Sequence, residues 1–102
     1  MKVTFRINYK TVCGQNLWLA GSSEALGAWN HKSGFPLTHV GNGEWEAVMT
    51  FNSKDEFEYK YFIVNEDGSV FWEGGDNRKF GPFSYKSLEI RDFWRPQIDD
   101  ES

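Results

Sequence analysis

A chain of 102 residues with 39% hydrophobic and 25% charged side chains has the apolar content for one buried core, which argues against disorder. Its net charge of −4 argues against nucleic acid as a partner, since phosphate-backbone binding needs clustered Lys and Arg. Aromatic residues reach 18%, with five Trp, four Tyr and nine Phe, more than one small core consumes, so some rings are expected to face water.

Along the chain, Val3, Phe5 and Ile7 alternate with Lys2, Thr4 and Arg6, the period of a strand with one wet face. This opening has no apolar stretch of the signal-peptide kind, and the longest apolar runs, such as Leu17 to Ala20, are far too short to cross a bilayer. No membrane association is expected. Asn16 to Gly21 is a second short apolar run. Ser22 to Leu26 is compatible with a helical turn, and Gly27 then leads Trp29 onto a loop. Leu37-Thr38 begins a strand that turns at Gly41-Asn42-Gly43 into Glu44 to Phe51, where Trp45, Ala47, Met49 and Phe51 share a face. After the polar turn Asn52 to Glu56, Phe57, Tyr59, Tyr61 and Ile63 alternate with Glu58, Lys60 and Phe62 in the clearest strand of the sequence. Asn65 to Gly68 closes another turn, Val70 to Glu73 returns as a short strand, and Gly74 to Pro82 reads as a loop. A last strand is predicted over Ser84 to Phe93 with Leu88 and Ile90 inward. Residues 1–96 then form the module, and the acidic stretch 97–102 reads as a linker or frayed tail. The expected fold is all-β: an antiparallel immunoglobulin-like sandwich of about seven or eight short strands.

Catalytic constellations are absent from the pattern. His31 and His39 lack partners for a metal site or a general base, so neither metal nor cofactor is expected. The acid pairs Asp55-Glu56 and Glu66-Asp67 lie in turns, where adjacent side chains diverge, and a glycosidase needs facing carboxylates. Cys13 is the single cysteine, so no internal disulfide forms and a cytoplasmic setting is expected. It also lacks a neighbour that would make it a reactive thiolate.

The surplus of rings suggests a different chemistry. A sugar ring offers a face of C–H groups and a rim of hydroxyls, so it is held by a flat exposed aromatic with donors and acceptors at its edge. Burying about 100 Å² of apolar surface contributes roughly 2.5 kcal/mol, and each hydroxyl hydrogen bond adds about 1 kcal/mol. Trp29 follows a conformationally free Gly27, and Trp72 ends a strand just before Glu73-Gly74-Gly75-Asp76-Asn77. Lys60 lies on the face opposite Tyr59 and Tyr61. Trp45 and Trp94 are assigned to the core. Trp18 is compatible with exposure or with packing beneath a loop, and takes no role.

Four segments in register carry a family likeness: Asn16-Leu17-Trp18-Leu19-Ala20-Gly21-Ser22, Leu26-Gly27-Ala28-Trp29, Phe57-Glu58-Tyr59-Lys60-Tyr61-Phe62, and Trp72-Glu73 with Asn77-Arg78. Together they resemble the starch-binding domain of carbohydrate-binding module family 20. The segments Val3 to Thr11 and Glu89 to Trp94 are further similar to the N-terminal modules of 4-α-glucanotransferases of the amylomaltase type. The resemblance implies a non-catalytic carbohydrate-binding site in which Trp29 and Trp72 stack while Lys60, Glu73 and Asn77 bond hydroxyls. Implied partners are α-1,4-linked glucans (starch, glycogen, maltodextrins, cyclodextrin) and a covalently attached C-terminal catalytic domain. The family's second site usually has an aromatic where this chain has Cys13, and another in the loop shortened here to Val40-Gly41-Asn42-Gly43, so one working site, or a second that is badly weakened, is expected. The alternative reading is a β-sandwich interaction module whose exposed aromatics contact a protein partner or a neighbouring catalytic domain.

Overall fold

The structure, a computed structural model, describes residues 1–97. Residues 98–102 of the expected tail lie outside it. Among the described residues nine strands run in chain order: β1 Lys2–Asn8, β2 Asn16–Gly21, β3 Phe35–Pro36, β4 Thr38–Gly41, β5 Glu44–Thr50, β6 Phe57–Val64, β7 Val70–Trp72, β8 Arg78–Phe80 and β9 Ser87–Phe93. One sheet has the order β4-β5-β1-β9, the other β3-β2-β6-β7 with β8 also on β6. Among the described residues, no helix is long and apolar enough to cross a membrane.

The alternations read from the sequence become the two inner faces. Val3, Phe5 and Ile7 of β1, Trp45, Ala47 and Met49 of β5, and Phe57, Tyr59, Tyr61 and Ile63 of β6 are all buried in one core cluster. Leu88 and Ile90 of β9 and Trp94 pack against its margin. A buried side chain of Phe or Leu size contributes roughly 1.5–3 kcal/mol, so these faces account for most of the drive to form two layers. The β4–β5 hairpin turns at Asn42 and Gly43, both at positive φ (52° and 76°), which matches the right-handed twist of the flanking strands.

Two features differ from the expectation. The segment read as a loop from Gly74 to Pro82 contains β8, and Phe35–Pro36 forms a two-residue β3, so the described residues hold nine strands where about seven or eight were expected. Strands this short carry no period to read. The pairing of β9 with β1 is parallel, whereas every other pairing is antiparallel.

One topological detail prepares the site. β7 pairs with Phe62 to Val64 of β6, and β8 pairs with Phe57 to Tyr59 of the same strand. The connection from Glu73 to Asn77 therefore passes beside Lys60 and Tyr61, the part of β6 that neither short strand covers.

Candidate functional site

Strand alternation sorts β6 into an inner set, Phe57, Tyr59, Tyr61 and Ile63, and an outer set, Glu58, Lys60, Phe62 and Val64. Trp72 is the register partner of Phe62, and its ring packs 4.8 Å from it at 38°, on the outer face. Trp72 is half-buried by that contact.

Trp29 reaches the same place from the loop after β2. The fully buried Leu26 anchors a short 3-10 turn, Glu24–Leu26, which Gly27 ends at φ 85°. A Cβ on Gly27 would stand 2.6 Å from the Ser33 carbonyl oxygen and 2.8 Å from that of Asn30, so only glycine fits. Ala28 (φ 48°) and Trp29 (φ 68°) continue in the left-handed region, which is costly for residues carrying a Cβ. The Trp29 N–H donates to the Gly21 carbonyl at 2.8 Å, tying the strained segment to the end of β2. The Asn30 side chain then accepts from the Lys32 N–H and opens a second 3-10 turn, His31–Ser33. The outcome is a corner: the Trp29 and Trp72 ring centroids lie 6.5 Å apart with planes at 57°. Trp29 is 37% exposed.

Lys60 lies next to Phe62 on the outer face and directs its ammonium to the Glu73 main-chain carbonyl at 3.4 Å. Asn77 is exposed and donates its side-chain amide to a Glu58 carboxylate oxygen at 2.9 Å. Glu58 thus orients Asn77, a part the sequence reading did not assign to it.

Glu73 requires a correction. Its carboxylate is fully buried rather than turned toward a ligand. One oxygen accepts from the Tyr61 N–H (3.0 Å) and the Arg78 Nε (3.0 Å), and the other from the Arg78 Nη2 (2.8 Å). The cause is the period of a strand: with Trp72 outward, its neighbour points inward. Arg78 in turn pairs with Asp92 at 3.3 Å, donates to the Phe93 carbonyl at 2.6 Å and lies over the Tyr61 ring at 5.5 Å. The Tyr59 and Tyr61 hydroxyls both donate to one Asp92 oxygen, at 2.9 and 2.8 Å. Burial works to lower the Arg78 pKa, but the hydrogen bonds and charge of Glu73, then the charge of Asp92, outweigh it and hold the guanidinium above its ordinary value. Burial first, and the Asp92 charge second, push both phenols well above the usual tyrosine range. This ion-pair network lies behind the Trp72 platform and clamps the Glu73 to Arg78 connection to β6 and β9. In the sequence this pairing is signalled by the strand period, which turns Glu73 away from Trp72, and by Arg78 five residues on.

Cys13 is an exposed free thiol beside Gln15 and the Asn65 to Asp67 turn. Among the described residues, no three His, Cys, Asp or Glu side chains gather where they could hold a metal ion.

The profile described as "Starch binding domain" matches residues 1–89. The chain belongs to this family. Within it, the domain is 34% identical to a 4-alpha-glucanotransferase of Oryza sativa subsp. japonica over 91% of its own length and 11% of that protein. It is also 34% identical to a glucoamylase of Neurospora crassa, over 91% of the domain and 16% of that enzyme. The chain therefore spans only a small part of the curated relatives it matches. Among solved structures, a family 15 glucoamylase of Hypocrea jecorina superposes with a TM-score of 0.86 at 30% identity, over 92% of the domain and 17% of that chain. The family 20 module of a maltotetraose-forming amylase from Pseudomonas saccharophila is covered in full by 90% of the domain, with a TM-score of 0.73 at 21% identity, a likeness of fold.

Proposed function

We propose that the domain binds α-1,4-linked glucans across the Trp29–Trp72 corner and breaks no bond itself. The observation that carries this reading is the pair of indole planes 6.5 Å apart and tilted by 57° on one outer face. Two flat apolar surfaces at such an angle suit consecutive pyranose rings of a polymer that curves, as starch, glycogen, maltodextrins and cyclodextrin do. The Lys60 ammonium and the Asn77 amide supply hydrogen-bonding groups at the edge. Glu73 contributes from behind, by fixing the loop, and not by bonding a hydroxyl with its carboxylate. Affinity falls between μM and mM, on the order of 4–8 kcal/mol, because each sugar contact exchanges with water.

In this reading the domain brings an attached α-glucan-active enzyme, a 4-α-glucanotransferase, to its substrate. Support comes from the glucanotransferase relative, of which the matched region is only 11%.

Titration with maltoheptaose or β-cyclodextrin, followed by Trp fluorescence, tests the binding. The expected result is a saturable change below ~10 mM. Trp72→Ala removes roughly 2 kcal/mol of stacking, about thirtyfold in affinity, and abolishes adsorption to granular starch. Unchanged adsorption by this variant overturns the reading and leaves the aromatics as a protein-contact patch.

A further inference from the structure

The outer face of the second sheet holds more aromatic surface than the Trp29–Trp72 corner uses. Pro36, Trp18, Phe62 and Trp72 are successive register partners across β3, β2, β6 and β7. Phe62, in the middle, packs against Trp72 at 4.8 Å and stacks on Trp18 at 6.2 Å and 21°. The His31 ring stands edge-on to it at 6.3 Å. Although Phe62 points outward it is only 1% exposed, so these neighbours close over it into a continuous wall. Beside that wall, over the next row of β6 and β7, lies a cleft of about 250 Å³ lined also by Lys32, Val64 and Val70. Val64 and Val70 are register partners one row along, so the floor is apolar, while the His31 and Lys32 side chains form a polar rim on the 3-10 turn.

We propose that this cleft is a further glucose subsite, which the same glucan chain enters after leaving Trp72, with Trp18 as its stacking surface. The proposal rests on the reading of the Trp29–Trp72 corner as a glucan site. Three observations carry it. The cleft shares the Phe62 wall with that corner, so a chain crossing one is guided to the other. Trp18 and Trp72 are two strand spacings apart, roughly 10 Å, a separation that one sugar unit cannot span but a longer chain can. Its chemistry repeats that of the corner, an indole face with donors at the edge. An anion would find one exposed ammonium over an apolar floor, a poor match.

The test compares a short and a long ligand by calorimetry on the intact domain. Wild type is expected to bind maltoheptaose about tenfold tighter than maltotriose. Trp18→Ala is expected to remove that advantage and leave maltotriose affinity unchanged, whereas Trp72→Ala weakens both sugars. Because Trp18 also supports Phe62, Val70→Asp provides a second probe that spoils the floor without touching the aromatic wall, and the same loss of chain-length dependence is expected. Equal affinity of the two variants and wild type for maltoheptaose overturns the subsite. So does a stoichiometry of two maltotriose per domain that falls to one in Trp18→Ala, which would mean a separate site and not a continuation. If wild type binds neither sugar, the underlying reading of Trp29 and Trp72 falls with it.

Discussion

The two faces of β6 place similar residues in opposite roles. Inward, Tyr59 and Tyr61 end in a closed ion-pair network with Asp92, Arg78 and Glu73; outward, Lys60 and Phe62 border rings that remain open to solvent. What separates them is cover: the β4-β5-β1-β9 sheet lies over one face, and a loop with two non-glycine residues at positive φ leans over only part of the other. A substitution behind the platform is therefore expected to act on stability, and one in front of it on binding.

The largest expected effect breaks the inner side. Glu73→Ala leaves the Tyr61 N–H unpaired and deprives the nearly buried Arg78 of its bidentate partner, costing about 3–5 kcal/mol. In a domain of this size that lowers Tm by roughly 15 °C or more, measurable by calorimetry or urea denaturation. The milder Glu73→Gln separates the two roles. It is expected to lower stability while leaving maltoheptaose affinity within about twofold, whereas a carboxylate that touched sugar would cost about 1–3 kcal/mol of binding.

Next in size is the alkaline limb. The folded phenols of Tyr59 and Tyr61 titrate above their unfolded value near 10, so the folded state holds protons that the unfolded chain has released. Their contribution to stability is complete below pH ~10 and falls as pH rises beyond it, by up to about 1.4 kcal/mol per pH unit for each tyrosine. Denaturation midpoints measured from pH 8 to 11 should be flat and then drop. Tyr61→Phe should halve the slope.

How far these roles were legible in the chain follows from the same contrast. Period-two alternation exposed the inner faces of β1, β5 and β6, and Asn42-Gly43 announced its hairpin, because burial and turn geometry act on adjacent residues. Trp29 and Trp72 stood out through a permissive glycine and a strand end. Glu73 was misread because it was considered as a neighbour of Trp72 along the chain, when the pleat turns it to the other face, toward Arg78 and away from the rings. Strand β8 was missed since Arg78 to Phe80 owe their conformation to the first residues of β6, a long-range pairing with no local trace. Trp18 stayed undecided for a similar reason: its surroundings, Pro36, Phe62 and the His31–Ser33 turn, come from three separate segments.

On the outer side the effects are smaller. Lys60→Ala removes a cationic donor at the rim and is expected to weaken maltoheptaose binding by about 1 kcal/mol, roughly fivefold, with stability changed by less than about 0.5 kcal/mol. Asn77→Ala should cost somewhat less, because Glu58 already engages one of its amide hydrogens. Calorimetric titration beside a urea curve checks both. A stability loss larger than the binding loss in either variant would erase the distinction between the faces.

The smallest expected effect probes the loop that carries Trp29. Ala28 is exposed and sits at φ 48°, where an L side chain costs about 1 kcal/mol, while glycine adopts this conformation freely but loses roughly 0.5–1 kcal/mol in entropy on folding. Ala28→Gly is thus expected to leave stability level or to raise it by up to about 0.5 kcal/mol. Binding should move the other way: a looser segment holds the Trp29 ring less firmly in its 57° relation to Trp72, and ordering it at the binding step costs about twofold in maltoheptaose affinity. Opposite signs in the two measurements mean that backbone strain at Ala28-Trp29 preorganises the corner. If affinity is unchanged, Gly27 and the Trp29 N–H bond to Gly21 are enough to aim the ring, and the strain is only a by-product of the turn.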